Sequence, residues 1–157
     1  VSTINTSYKN AAARGTAAFE VMDEFVDANL SAGAEPPMQQ PVRILLADSQ
    51  TLAAFTVVGL SAGKLVKATY NATLASAVQP IGVLVHAASS GSSNTTKYGE
   101  VIRTGCFNVG KDAAGTDSPL VWDSSFDTIA KKTTWEGVLG RSDLVFRQRT
   151  IPTTAAV

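Results

Sequence analysis

From Pro41 onward the chain is a succession of short apolar runs, each closed off by turn residues. They fall at 42–47, 53–58, 65–70, 81–87, 98–109, 133–139 and 144–151. Runs of this kind, set between clusters of Gly, Ser, Asn and Asp, are the sequence signature of strands. The connections AASSGSSNTT (87–96) and GKDAAGTD (110–117) are small and polar, as surface loops of a β body should be. One helical piece interrupts the series. Ser118 followed by Pro119 makes a good N-cap and N1 pair, and the segment ends on Lys131 and Lys132, cations suited to a helix C-terminus. One or two short helices fit there. The expected fold class is therefore α+β, mainly β, with no repeat of the period that would mark a solenoid or propeller.

The first forty residues read differently. Residues 1–15, VSTINTSYKNAAARG, have few large apolar groups and no sustained period, so they form an arm. Between Thr16 and Leu30, Phe19, Met22, Val26 and Leu30 recur at helical spacing, with an adjacent acidic stripe of Glu20, Asp23, Glu24 and Asp27. Val21, Phe25 and Ala28 fall away from that stripe, so the helix is apolar around most of its circumference and needs burial on two sides. The stretch SAGAEPPMQQP (31–41) breaks any regular element and reads as a linker. Two regions follow: 1–40, an arm and amphipathic helix for partner contact, and 41–157, a β-rich domain. Charge divides the same way. Up to residue 40, Lys9 and Arg14 face Glu20, Asp23, Glu24, Asp27 and Glu35, so the leading region is acidic and the rest mildly basic.

Over the 157 residues, 13 basic and 13 acidic side chains give a formal net charge of +0. No counterion-release term then drives binding to DNA or RNA, and nucleic acid is not an expected partner. No apolar run approaches the roughly 20 residues that span a bilayer, and no basic-then-apolar leader opens the chain, so no membrane contact is expected. The start at Val1 suits loss of an initiator methionine before a small residue, and a processed precursor would look the same. Cys106, the single cysteine, cannot close a bridge within the chain, which leaves stability to packing and association.

The most tempting catalytic string is Gly59-Leu60-Ser61-Ala62-Gly63, a literal G-x-S-x-G. A nucleophile elbow needs a strand, a sharp turn, then a helix, with an acid and a histidine downstream in that order. Here Lys64-Leu65-Val66-Lys67 alternates like a strand, His86 is the only histidine, and no acid lies between Ser61 and His86. A Gly-rich β-turn is the stronger reading, and a serine hydrolase built on Ser61 the weaker one. His86 reads as a strand-end residue and Cys106 as a packed thiol. No usual zinc ligand set can be assembled, and the acidic stripe lacks the glycine and ligand order of a calcium loop. No metal or cofactor is expected. Arg147 and Arg149 alternate with Val145 as the outer face of a half-exposed strand. Asn5, Asn71 and Asn94 each begin an N-x-S/T triplet by chance in a Ser- and Thr-rich chain.

Three stretches, in order, resemble the head decoration, or capsid cement, proteins of tailed phages, the group that includes the phage lambda head decoration protein. The first comprises PVRILL (41–46), KLVK (64–67) and QPIGVLVHAA (79–88). YGEVIRTGCFNV (98–109) is the second, and LVW (120–122) followed by KKTTWEG (131–137) the third. The likeness spans about residues 41–150, and the acidic N-terminal helix has no counterpart in it. It implies a small β-clip-like fold and a homotrimer on the exterior of the virion capsid, made in the host cytoplasm. The partner would be the major capsid protein, with no chemistry performed. The N-terminal arm would lie on the shell, where it can add a strand to a sheet edge. In this sequence the capsid-binding residues would then be Ser2, Thr3, Ile4, Asn5, Thr6 and Tyr8 of the arm, and Phe19, Met22, Phe25 and Val26 of the helix. A β-rich attachment or glycan-binding module is the rival reading, and would call for exposed aromatic platforms; Trp122 and Trp135 lie in patterned segments and read as core.

Overall fold

The computed structural model describes residues 29–111, 117–134 and 143–149. Nine strands occur among them: β1 (Val42–Leu45), β2 (Thr51–Leu52), β3 (Val57–Ser61), β4 (Lys64–Lys67), β5 (Pro80–Leu84), β6 (Ala88–Ser89), β7 (Tyr98–Ile102), β8 (Gly105–Asn108) and β9 (Leu144–Arg147). A single helix, α1 (Ile129–Thr133), and one 3-10 turn complete the elements described. The molecule is mainly β.

Five strands form an antiparallel sheet in the order β1-β7-β5-β3-β4. The sheet curls on itself. Just past β1, Leu46 bridges Leu65 of β4, and the Ala47 N–H donates to the Leu65 carbonyl at 2.9 Å, so the two outer strands meet. Strand alternation then sends neighbouring residues to two different cores. Val58, Leu65, Leu84 and Val101 join Leu46 and Leu52 in an aliphatic cluster inside the curl. Val57 and Val83, one position away, face outward into a second cluster with Phe107, Leu120, Phe126 and Phe146.

The interior of the curl is tight enough to dictate a residue type. A Cβ on Gly99 would sit 2.7 Å from a Leu65 methyl and 2.8 Å from a Leu84 methyl. Only glycine fits there without moving the core.

The β3–β4 connection is a two-residue hairpin with Ala62 at φ 48° and Gly63 at φ 75°, the left-handed pair that matches strand twist. The β-turn expected over Gly59–Gly63 is thus present, shifted so that Ser61 still pairs with Lys64.

Several expected elements come out otherwise. The run 53–58 yields a strand only from Val57, because Phe55 at φ 59° turns the chain and the Thr56 hydroxyl donates back to the Ala53 carbonyl at 2.8 Å. The run 98–109 splits at Arg103–Thr104 into β7 in the curled sheet and β8 in a separate pair. Ser118 caps no helix. Its hydroxyl donates to the Asn108 carbonyl at 2.6 Å and accepts the Leu120 N–H at 3.2 Å, while Val121 extends alongside Phe55 and Val57. An extended path lets Leu120 and Phe126 reach the second core. The helix starts ten residues later, where the Thr128 side chain accepts the Lys131 N–H. Thr133, expected to open a strand, ends this helix, and 135–140 lie outside the described residues. Along β9, Leu144, Val145 and Phe146 are all buried, so the expected half-exposed strand is buried on both faces up to Arg147.

Candidate functional site

β8 lies outside the curled sheet. It pairs in parallel with β9, Gly105 with Leu144 through Asn108 with Arg147. On its other side lies the start of the expected linker, which is thus paired to a strand and not free-running there: Ser31 bridges Phe107, and the Ala32 N–H donates to the Cys106 carbonyl at 3.0 Å. Leu30 is buried in the aromatic core. The region 1–40 is therefore tied to the β body at its residues 30–32.

The tie is organised by one side chain. Asn108 is fully buried. Its N–H donates to the Leu30 carbonyl at 2.8 Å, and its amide nitrogen donates to the Asn29 side-chain oxygen at 3.0 Å. The amide oxygen accepts the N–H of Gly110 at 3.0 Å and of Arg149 at 3.1 Å. Its carbonyl takes the Ser118 hydroxyl. A buried amide satisfied on every side is a high-stakes contact, since removing it strands several polar groups. The result is geometric: Asn29, Gly110, Ser118 and Arg149, from separate parts of the chain, all meet at Asn108.

A second polar cluster clasps the curled sheet. Asn94, 4% exposed, donates its amide to the Leu46 and Lys97 carbonyls at 2.8 and 2.9 Å and accepts the Lys97 N–H. The Asn94 N–H in turn donates to Asp48 at 2.8 Å, with the Lys64 ammonium 3.4 Å from the same oxygen. These two partners, the backbone N–H first, hold the Asp48 carboxyl below its usual range. Asp123 is held low as well, chiefly by the N–H and hydroxyl of Ser125, with Lys67 contributing. An Asn94 amide engaged in this way is unfit as a glycan acceptor.

The catalytic string does not assemble. The strand–turn–helix of an elbow is replaced by a hairpin, and Ser61 lies at the end of β3 beyond the Gly59–Pro80 pair. His86 lies past the other end of β5, so strand geometry puts the two about 20 Å apart. Cys106 is buried, 1% exposed, against Gly33. No group of three metal-ligating side chains occurs among the described residues. A hollow of about 350 Å³ is lined by Gln39, Gln40, Val42, Arg103, Thr104 and Asp143. Trp122 packs on Phe126 and Phe146 with ring centroids 4.8 and 5.1 Å away, under the Lys132 ammonium, so it lies half-buried against the aromatic core. Trp135 and the ten residues expected to contact a capsid, Ser2 to Tyr8 and Phe19 to Val26, lie outside the described residues. No described helix is long and apolar enough to cross a membrane.

Sequence reading missed Asn108 and Asn29. The signal available was a lone amide inside the apolar run Cys106-Phe107-Asn108-Val109. No family model, curated protein or solved structure matches this chain significantly.

Proposed function

We propose that this chain is a non-catalytic capsid decoration protein: it binds the outer surface of an assembled phage capsid through its first forty residues and stabilises that shell. The observation that carries the reading is where the family-like stretches fall. PVRILL, KLVK, QPIGVLVHAA and YGEVIRTGCFNV, spread over residues 41–109, supply β1, β4, β5 and β7, four of the five strands of the curled sheet, and continue into β8. Two of the three stretches thus fall mainly in the curled sheet, while the described part of the third, 120–122 and 131–134, lies outside it, and a β-clip-like form of the sheet is part of the proposal. Added support comes from the Asn108 knot, which holds Asn29 and Leu30 of the first forty residues to the body.

The physical mechanism is linkage. A protein that binds only the assembled shell stabilises it by mass action, with no bond made or broken. As a homotrimer, it would make its second and third contacts intramolecular, and avidity would exceed single-arm affinity by about 10² to 10⁴. The Ser- and Thr-rich arm, with Ile4 and Tyr8, suits strand addition to a capsid edge.

The test is co-sedimentation with expanded, undecorated capsids of the phage that carries the chain. Saturable pelleting, a raised capsid disruption temperature and loss of both on deleting residues 1–15 are expected. Failure of the full chain to pellet overturns the reading. Retained binding by the truncated protein overturns the role of the arm. Sedimentation equilibrium checks the trimer.

A further inference from the structure

We propose that residues 31–40 form a strap that lifts off β8 as a local unit while both cores stay folded, uncovering Cys106 and one backbone edge of β8. The strap is fixed at its two ends. Before it, Leu30 is buried in the aromatic core, and its carbonyl accepts the Asn108 N–H at 2.8 Å. After it, Val42 opens β1, which pairs along its whole length with β7. Between these two points no residue is buried.

Little holds the middle. The Ala32 N–H donates to the Cys106 carbonyl at 3.0 Å, and the Thr104 hydroxyl reaches the Pro37 carbonyl at 3.4 Å. Among the described residues these are the hydrogen bonds that join the strap to the body, for the Ser31 hydroxyl turns back onto the strap's own Gly33. Two packing contacts add to them. Met38, 39% exposed, rests on Gly105, where an added Cβ would sit 2.9 Å from the Met38 Cγ. Gly33 rests on Cys106, where an added Cβ would be 3.6 Å from Sγ. A segment with few buried contacts and solvent-facing hydrogen bonds opens for far less free energy than the whole fold. Opening costs β8 a neighbour on one edge only, since β9 stays paired on the other. The edge set free is of the kind that accepts an added strand.

The experiment uses the full chain and involves no capsid, so its outcome is independent of the decoration reading. Cys106, 1% exposed and the only thiol, is alkylated with iodoacetamide over a series of urea concentrations, and the Ala32 amide is followed by hydrogen exchange. Alkylation is expected to run at least about 100-fold faster than the global unfolding equilibrium allows. It should be nearly independent of urea below the unfolding transition, because a local opening exposes little surface. Met38→Ala should raise both rates about fivefold, the factor expected from the buried part of one methionine. Gly99→Ala, in the aliphatic core, should lower the melting temperature and leave both rates unchanged. Alkylation with the urea dependence of global unfolding, or alkylation accelerated by Gly99→Ala, overturns the proposal. So does Met38→Ala if it leaves both rates where they were.

Discussion

The two cores of this protein solve the same burial problem with different materials. Inside the curled sheet the filling is aliphatic, Leu46, Leu52, Val58, Leu65, Leu84 and Val101, and space is saved by a glycine at 99. At the other end the filling is aromatic, with Phe107, Phe146, Trp122 and Phe126 in contact, and a buried amide stands beside it. The aliphatic core is enclosed by a single curled sheet, whose β1–β7 pairing also joins distant parts of the chain. The aromatic end gathers residues 29–32, 105–110, 118–126 and 144–149, which are far apart in the chain. Closing long loops costs entropy at both ends, but here the closure rests on a two-strand pair and the Asn108 contacts instead of a five-strand sheet, so this end depends more on each strong contact. It is also the end where Asn29 and Leu30 are held to the body.

The largest test of that contrast is Phe146→Ala, expected to cost about 3–5 kcal/mol by denaturant melting, because it removes a ring that Phe107 and Trp122 both contact. Asn108→Leu keeps the volume and deletes the amide. A cost of about 1–3 kcal/mol is expected, with the Gly110 and Arg149 amides losing protection from hydrogen exchange while β3 and β5 keep theirs. Uniform loss of protection across both cores would show that they unfold as one unit and erase the distinction. Gly99→Ala strikes the other core alone. Overpacking against Leu65 and Leu84 should cost about 1–3 kcal/mol without altering exchange at Gly110.

Acid gives the smallest effect. Asp48 has a folded pKa below its unfolded value, so its stabilising contribution is present above the unfolded carboxyl range, near 3.8, and is lost as pH falls through the lower folded value. Lowering pH from 5 to 2 should therefore loosen the Asp48–Asn94–Lys64 clasp, and Asp48→Asn should remove part of that acid sensitivity. A variant with an unchanged pH–melting profile would show that the exposed Asp48 carboxyl contributes nothing.

Much of the body is legible residue by residue. Alternation in Val57-Val58 and Val83-Leu84, the Ala62-Gly63 turn and the polar loops around Ser90 and Asn94 are written within a few positions, as is the misfit of Ser61 to an elbow. Of the candidate site, Asn108 and the arginines at 147 and 149 are visible as residue types, whereas their nearness is not, because it runs through a parallel pairing of strands some forty residues apart.

What the sequence by itself determined is the β character of residues 41–109 and the tight hairpin, since strand period and turn preference act over two to five residues. Only tertiary packing decided that 118–128 runs extended instead of helical, that 98–109 divides between two sheets, and that Asn108 is a buried knot. Each of those outcomes depends on which distant surface a side chain can fill or which distant amide it can satisfy. Such a choice is made by the whole fold, where burial and satisfied hydrogen bonds outweigh local preferences worth a fraction of a kcal/mol, on the order of 0.5.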